Sequence, residues 1–273
     1  MAEKTIKKEK LMNVLLNRAL FDDEKSAGAA IMAGEVYVGG QRAKAGQMVQ
    51  RDADIIVRGR TPFVSKGGLK LSGALRDFHL SPSGRVCIDA GASTGGFTDC
   101  LIQNGASLVY AVDVGFGQLM GALRQNAKVV NLERCNIGDD KLLSLSPTPD
   151  LGTVDLSYLS LKKGIPLFAE ILRKKGDLIC LVKPLFEIDD VASRRTGVIE
   201  DDQYAPLLND LIGYVNDLPY ATVMDVTNSP VTGNTGTREF FLHVRLEKLA
   251  PAALSDRVQT AVEKAKALEE YKK

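Results

Sequence analysis

The stretch Val86-Cys87-Ile88-Asp89-Ala90-Gly91-Ala92-Ser93-Thr94-Gly95-Gly96-Phe97-Thr98 constrains the fold more than any other part of the chain. Val86 to Ile88 is a short, partly β-branched apolar run, as a strand buried in a parallel sheet requires. Gly91, Gly95 and Gly96 let the backbone turn sharply and let a ligand approach it. Ser93 and Thr94 can cap a helix that opens near Gly96. A strand, a glycine-rich turn and a helix start present free backbone N–H groups at one sheet edge.

From Arg85 onward, strands and helices alternate. Strands are predicted at 86–89, 108–112, 128–131, 152–155, 178–182, 220–226 and 239–245, and helices at 97–104, 160–173, 203–214 and 254–271. This order predicts an α/β fold with a doubly wound, Rossmann-like, mostly parallel sheet. A further helix precedes it, ending at Phe78, and Gly233 with the last strand suggests a closing hairpin. Phe116 and Gln118 are expected at the start of a helix after Asp113.

The turn is not a dinucleotide fingerprint, because Ser93 stands at the third position of Gly-x-Gly-x-x-Gly. An acid ends the strand instead, at Asp89. Asp113 ends the next strand, about twenty residues on, where a carboxylate can accept from both ribose hydroxyls of an adenosine. The expected cofactor is S-adenosyl-L-methionine, held by Asp89, Gly91, Ala92, Ser93, Thr94, Gly95, Gly96, Phe97 and Asp113. Asn136, after the third strand, is a candidate for the adenine edge; the alternative is a loop cap. A glycine-rich turn without a ligand is the competing reading of the whole stretch.

Charge distribution separates the front from the body. Residues 1–80 hold 14 Lys and Arg against 9 Asp and Glu, a surplus of +5, which leaves −4 for the rest of a chain whose total is +1. A basic front on an acidic body suggests a polyanionic partner, or else a solvated face. Met1 to Lys10 is expected to be frayed. Two short helices follow, the second opened by Asp22-Asp23-Glu24 and ended by Gly34. Short strands follow at Glu35–Val38, Met48-Val49 and Ile55–Val57, with a Gly39-Gly40 hairpin turn.

The front resembles the RNA-binding domain first known from ribosomal small-subunit protein number four. The resemblance rests on the helix–helix order, Ala33-Gly-Glu-Val-Tyr-Val-Gly-Gly40, Ala45-Gly46 and Asp54-Ile-Ile-Val57. It implies that Lys25, Arg42 and Lys44 face RNA. Lys8, Lys10, Arg60 and Lys66 extend the basic set as further RNA-binding candidates. A small α+β protein-binding module is the alternative. The expected division is an RNA-binding domain at 1–59, a linker at 60–64 and a cofactor-binding domain at 65–273.

Charged residues also stand at strand ends. Asp155 ends the fourth strand and Lys183 the fifth, where Pro184 stops it; Glu239 opens the last strand, and Lys70 precedes them all. Charges at the ends of apolar strands are costly to bury unpaired, so they pair with one another or meet a ligand. Together they resemble the Lys-Asp-Lys-Glu tetrad of FtsJ-type RNA ribose methyltransferases.

The flanking stretches are closer still to the TlyA family of rRNA 2′-O-methyltransferases, also called hemolysin A. They are Ser65–Leu71, Asp89–Thr98, Asp113–Gln118, Asp155–Ser160 and Leu181–Pro184. Departures are Leu185, where glutamine is usual, and Gly236-Thr237-Arg238-Glu239, where Gly-Asn-x-Glu is common.

This resemblance implies methylation of a cytidine ribose in rRNA, within a ribosomal subunit or the ribosome. Lys183 would then be the base, oriented by Asp155. Lys70 would stabilise the oxyanion, and Glu239 would position Lys70 or the ribose. Ser229-Pro230 is expected to border the substrate cleft.

Other classes are less favoured. Cys87, Cys100, Cys135 and Cys180 show neither metal-ligand spacing nor a disulfide framework and read as reduced, buried and cytoplasmic. With His79 and His243 the only histidines, no metal site is expected. No signal peptide or membrane span is expected, which disfavours a membrane-lytic protein. A non-catalytic RNA-binding or ribosome-assembly factor remains an alternative, and a monomer or weak dimer is expected.

Overall fold

The computed structural model describes residues 8–17, 20–21, 23–50, 53, 55–57, 62–157, 159–188, 195–233 and 236–268. The chain forms two compact units, Met1–Arg60 and Thr61–Lys272.

In the first unit, α1 (Leu11–Asn17) and α2 (Glu24–Met32) pack with two small antiparallel sheets. One pairs β1 (Lys8–Lys10) with β4 (Met48–Gln50); the other has the order β3 (Gln41–Arg42), β2 (Val36–Val38), β5 (Ile55–Val57). Leu11, Val14, Leu15, Phe21, Ile31 and Val49 fill the core. Asp23 caps α2, accepting from the Ser26 N–H at 2.7 Å. Lys8–Lys10, expected to be frayed, is instead a strand, with Lys8 opposite Gln50 and Lys10 opposite Met48. Its Lys-Glu-Lys sequence has no apolar pattern, so only backbone pairing with β4 reveals it.

The second unit is a seven-stranded sheet in the order β11-β12-β10-β9-β6-β7-β8. The strands are β6 (Val86–Ala90), β7 (Leu108–Val112), β8 (Val129–Leu132), β9 (Leu151–Val154), β10 (Asp177–Val182), β11 (Thr222–Asn228) and β12 (Phe240–Arg245). Neighbours among β6 to β10 are parallel, and β12 is antiparallel to both β10 and β11. The chain builds β6, β7 and β8 outward, then returns to place β9 on the other side of β6. That reversal opens a crevice at the C-terminal strand ends, where ligands bind in such sheets.

Alternation along β10 explains the two buried layers. Leu178, Cys180 and Val182 face a core with Ile165, Phe168, Leu208 and Val262. Ile179 and Leu181 face another with Leu71, Leu75, Phe97 and Leu101. Those residues come from α6 (Leu161–Ile171), α8 (Tyr204–Asp217) and α9 (Ser255–Lys266) on one side, and from α3 (Lys66–Asp77) and α4 (Gly96–Gln103) on the other. Pro166 sits inside α6, where it cannot bond the Lys162 carbonyl. The Tyr214 hydroxyl of α8 donates to that carbonyl at 2.8 Å instead. Pro62 to Val64, expected as linker, are tied to α4. The Val64 N–H donates to Asp99 at 2.8 Å, and Gln103 donates to the Pro62 carbonyl at 2.9 Å. Among the described residues no helix is long and apolar enough to cross a membrane, and no group of three or more His, Cys, Asp or Glu is placed to hold a metal ion.

The opposite sheet edge is held by Asp177, buried at the start of β10. It meets Arg85 at 2.8 Å, His243 at 2.8 Å and Arg245 at 2.9 Å. Burial pushes its carboxyl upward. The hydrogen bonds from His243 and Arg85 and the charges of Arg85 and Arg245 outweigh that, and it titrates below the ordinary range. Its stabilisation is therefore complete above the unfolded value of about 4 and is lost as pH falls through the lower folded value. Asp177→Ala leaves cations facing a buried gap, and a loss of about 3–5 kcal/mol is expected in urea unfolding at pH 7. A loss below 1 kcal/mol would show that the cluster is solvated.

Candidate active site

The candidate site draws on the ends of β6, β7, β9, β10 and β12. Asp89 lies in β6 and is fully buried. Its oxygens accept from Thr98 Oγ1 at 2.7 Å and Thr153 Oγ1 at 2.9 Å, binding β6 to α4 and β9. Burial pushes its carboxyl up to about 6, opposed by the two hydroxyls and reinforced by Asp155. The next residues form the turn. Gly91 has φ 84°, and a Cβ there would run into the Asp155 carbonyl. The Gly91 and Ala92 N–H groups donate to Val112 O at 2.9 and 3.1 Å. Ser93 takes φ 49°, and its N–H donates to Asp113 Oδ2 at 2.7 Å. Ser93 and Thr94 are exposed at the rim, whereas Ala92, Gly95, Gly96 and Phe97 are buried. Phe97 belongs to the core, with its ring centroid 6.1 Å from that of Phe241.

Asp113 follows β7 and also accepts from the Gly115 N–H at 2.7 Å. Residues 113–120 are turns and bends rather than the expected helix, which begins only as α5 (Gly121–Arg124). The Asp113 side chain and the positive φ of Gly117 favour turns over a helix there. Phe116 is 66% exposed, with the Arg134 guanidinium 4.3 Å above its ring. Gln118 accepts from Ser93 Oγ at 3.3 Å. Asn136 caps its own loop, accepting from the Gly138 N–H at 2.9 Å.

The charged residues form two ion pairs. Lys70, on α3, and Glu239, before β12, are each 6% exposed and meet at 2.5 Å. Lys183 and Asp155, at the ends of adjacent strands β10 and β9, also meet at 2.5 Å but are partly exposed. Lys183 donates to Ser157 at 3.3 Å as well. Register brings the pairs to one edge, because Val182 lies opposite Phe240 and the next positions are Lys183 and Glu239. Pro184 ends β10 and starts α7 (Pro184–Glu187), where its missing N–H costs nothing. Glu187 then accepts from Ser160 Oγ at 2.6 Å and the Leu161 N–H at 2.8 Å, tying the segment after Lys183 to the one after Asp155.

A cavity of about 620 Å³ opens beside these pairs, and Ser157, Lys183, Phe186, Tyr204, Arg238 and Glu239 are among its walls. Of these, only Lys183 and Glu239 were singled out from the sequence as reacting groups. Ser157 and Arg238 adjoin expected residues, two after Asp155 and one before Glu239, whereas Phe186 and Tyr204 carry no such signal. Ser229 is buried and Pro230 packs against Gly73, and neither lines the cavity. Lys8, Lys10, Lys25, Arg42 and Lys44 are exposed on the first unit, and Lys66 is half-buried at the start of α3. Arg60 lies outside the described residues.

Two expectations follow from the turn. Gly91→Ala forces a methyl against the Asp155 backbone at a left-handed φ and should cost about 1–3 kcal/mol in urea unfolding; wild-type stability would contradict the close approach. Asp89, being favoured in its protonated form, should make the folded state less stable as pH rises from about 4 to 6. A carboxyl NMR titration should show its midpoint near 6, and a midpoint near 4 would overturn its desolvation.

The FtsJ-like methyltransferase family profile matches residues 63–246. The chain is 39% identical over 244 residues to a Bacillus subtilis protein named “Putative rRNA methyltransferase YqxC”, covering 88% of this chain and 86% of that one. It is 34% identical over 255 residues to the Mycobacterium tuberculosis 16S/23S rRNA (cytidine-2′-O)-methyltransferase TlyA, covering 91% and 95%. A solved Streptococcus thermophilus chain titled “Putative hemolysin” superposes with a TM-score of 0.70 at 32% identity, over 96% of this chain and 97% of that one. With the switch-point crevice, the glycine-rich turn and the two lysine–carboxylate pairs at one sheet edge, the chain belongs to the TlyA family of FtsJ-like methyltransferases.

Proposed function

We propose that the protein methylates the 2′-hydroxyl of a cytidine ribose in rRNA, using S-adenosyl-L-methionine. The observation that carries this reading is the placement of Lys183–Asp155 and Lys70–Glu239 beside the Gly91–Gly96 turn at one sheet edge. The turn and Asp113 suit the adenosine end of the donor. The Asp113 carboxylate spends one bond per oxygen on Ser93 and Gly115, and a carboxylate has about four acceptor sites, so it can still accept from ribose hydroxyls. Ser93 and Thr94 offer polar groups at the rim.

The bound donor supplies a methyl already activated on a sulfonium sulfur. What remains for the protein is to align a 2′-hydroxyl and remove its proton. Lys183 serves as the base once neutral, and Asp155 holds its amine toward the crevice. Lys70, buried against Glu239, stabilises negative charge on the attacking oxygen; Glu239 keeps the Lys70 ammonium in place. Glu187 helps hold the loop that carries Lys183.

The exposed basic residues of the first unit, Lys8, Lys10, Lys25, Arg42 and Lys44, suit phosphate contacts, and binding through them would weaken as salt rises. Arg60 and Lys66 extend that set in sequence. The reading carries with it ribosomal subunits or ribosomes as substrates, a cytoplasmic location and a monomeric or weakly dimeric protein.

Lys183→Arg tests the base assignment. Arginine keeps the charge opposite Asp155 but cannot release its proton. Methyl transfer to ribosomal subunits should fall by about 10²–10⁴-fold, with donor binding by calorimetry close to wild type. Turnover above one tenth of wild type would remove Lys183 as the base. Ribose-methylation mapping of rRNA, with and without the protein, tests the reaction itself.

A further inference from the structure

From the cavity beside the tetrad we infer a phosphate seat at Arg238, for the phosphodiester next to the methylated ribose. The inference rests on the RNA-methylation reading and adds a substrate contact to it.

Arg238 immediately precedes Glu239, so the polypeptide places its guanidinium one residue from a reacting group. It lines the same cavity as Lys183, Phe186 and Tyr204. The other charges there are already matched: Lys183 by Asp155 and Glu239 by Lys70. Arg238 instead leans on Asp201, whose side chain is 55% exposed and is also approached by Lys266 at 3.6 Å. Glu200 and Asp202 flank it in sequence and are exposed.

An ion pair open to water on its carboxylate side is weak and screened by salt. A phosphate inside the cavity would offer Arg238 a bidentate, less solvated partner, and the planar guanidinium fits that geometry. Tyr204 fixes the approach. It is buried, its ring centroid lies 5.6 Å from that of Phe240, and the Arg238 guanidinium lies 5.7 Å from its ring. Asp201 then holds the arginine in place and yields it when RNA enters.

The cavity wall divides accordingly. Phe186, Ile199 and Tyr204 supply apolar and aromatic surface, Thr232 and Thr237 supply hydroxyls, and Arg238 supplies the charge. That combination matches one nucleotide of single-stranded RNA, with a base face, ribose hydroxyls and one anionic linkage.

The test uses the full-length chain with ribosomal subunits for turnover and an rRNA fragment for direct binding, across a series of KCl concentrations. Arg238→Ala should raise the RNA KM about tenfold, leave kcat within about twofold, and reduce the salt slope of RNA affinity by about 0.7. Arg238→Lys should keep the salt slope and recover part of the affinity. Asp201→Asn should lower the KM, because it frees the guanidinium.

Opposite signs for the two charge removals are the decisive result. If Asp201→Asn and Arg238→Ala both raise the KM, the pair only supports the fold. An unchanged KM and salt slope in Arg238→Ala would also overturn the seat. Should wild-type protein transfer no methyl to any RNA, the reaction reading fails, and the binding series still decides Arg238: an unchanged slope rejects the seat and a reduced slope retains it.

Discussion

The second unit depends on a buried carboxylate that would be costly if it were left alone. Asp89 is fully enclosed and stands one residue before the turn at the switch point. Thr98 and Thr153 each donate to it, one from α4 and one from β9. These two bonds turn a desolvation cost into a joint between three elements. The joint sets where the glycine turn leaves β6 and where β9 ends. Because Gly91 then passes too close to Asp155 for any side chain, the glycine turn and the end of β9 share one backbone contact.

The two ends of the sheet pair their charges differently. At the C-terminal strand ends, the Lys183–Asp155 pair is partly exposed and the Lys70–Glu239 pair is buried. At the other end, Asp177 is buried under Arg85, His243 and Arg245. The first arrangement leaves the Lys183–Asp155 pair open to solvent. The second uses every carboxylate oxygen and is positioned to hold β6, β10 and β12 together. The same residue types behave differently because their access to solvent and the number of their partners differ.

Legibility in the sequence followed apolar patterning. β7 and β10 are continuous apolar runs, and the structure places them within one residue of where the pattern does. Lys183 and Asp155 stood out because a charge ends each run. β1 was hidden because Lys-Glu-Lys carries no pattern and gains its pairing from a strand forty residues on. The helix expected after Asp113 failed because local hydrogen bonds to that carboxylate compete with helical ones. Asn136 carried two readings, and its side chain is bonded within its own loop.

The sequence by itself determined the α/β order, the switch-point turn, and the four residues that form two ion pairs at one edge. The order and the turn are encoded locally, by periodicity and glycine; Asp155, Lys183 and Glu239 stand out as charges at strand ends, and Lys70 joins them through the family resemblance. The family resemblance already set Asp155 beside Lys183 and allowed Glu239 to position Lys70; the tertiary structure alone decided that Asp89 is spent on Thr98 and Thr153, and that Arg238, Tyr204 and Phe186 wall one cavity. Those facts depend on strand order and register between segments distant in the chain, and spacing along a sequence does not carry that information.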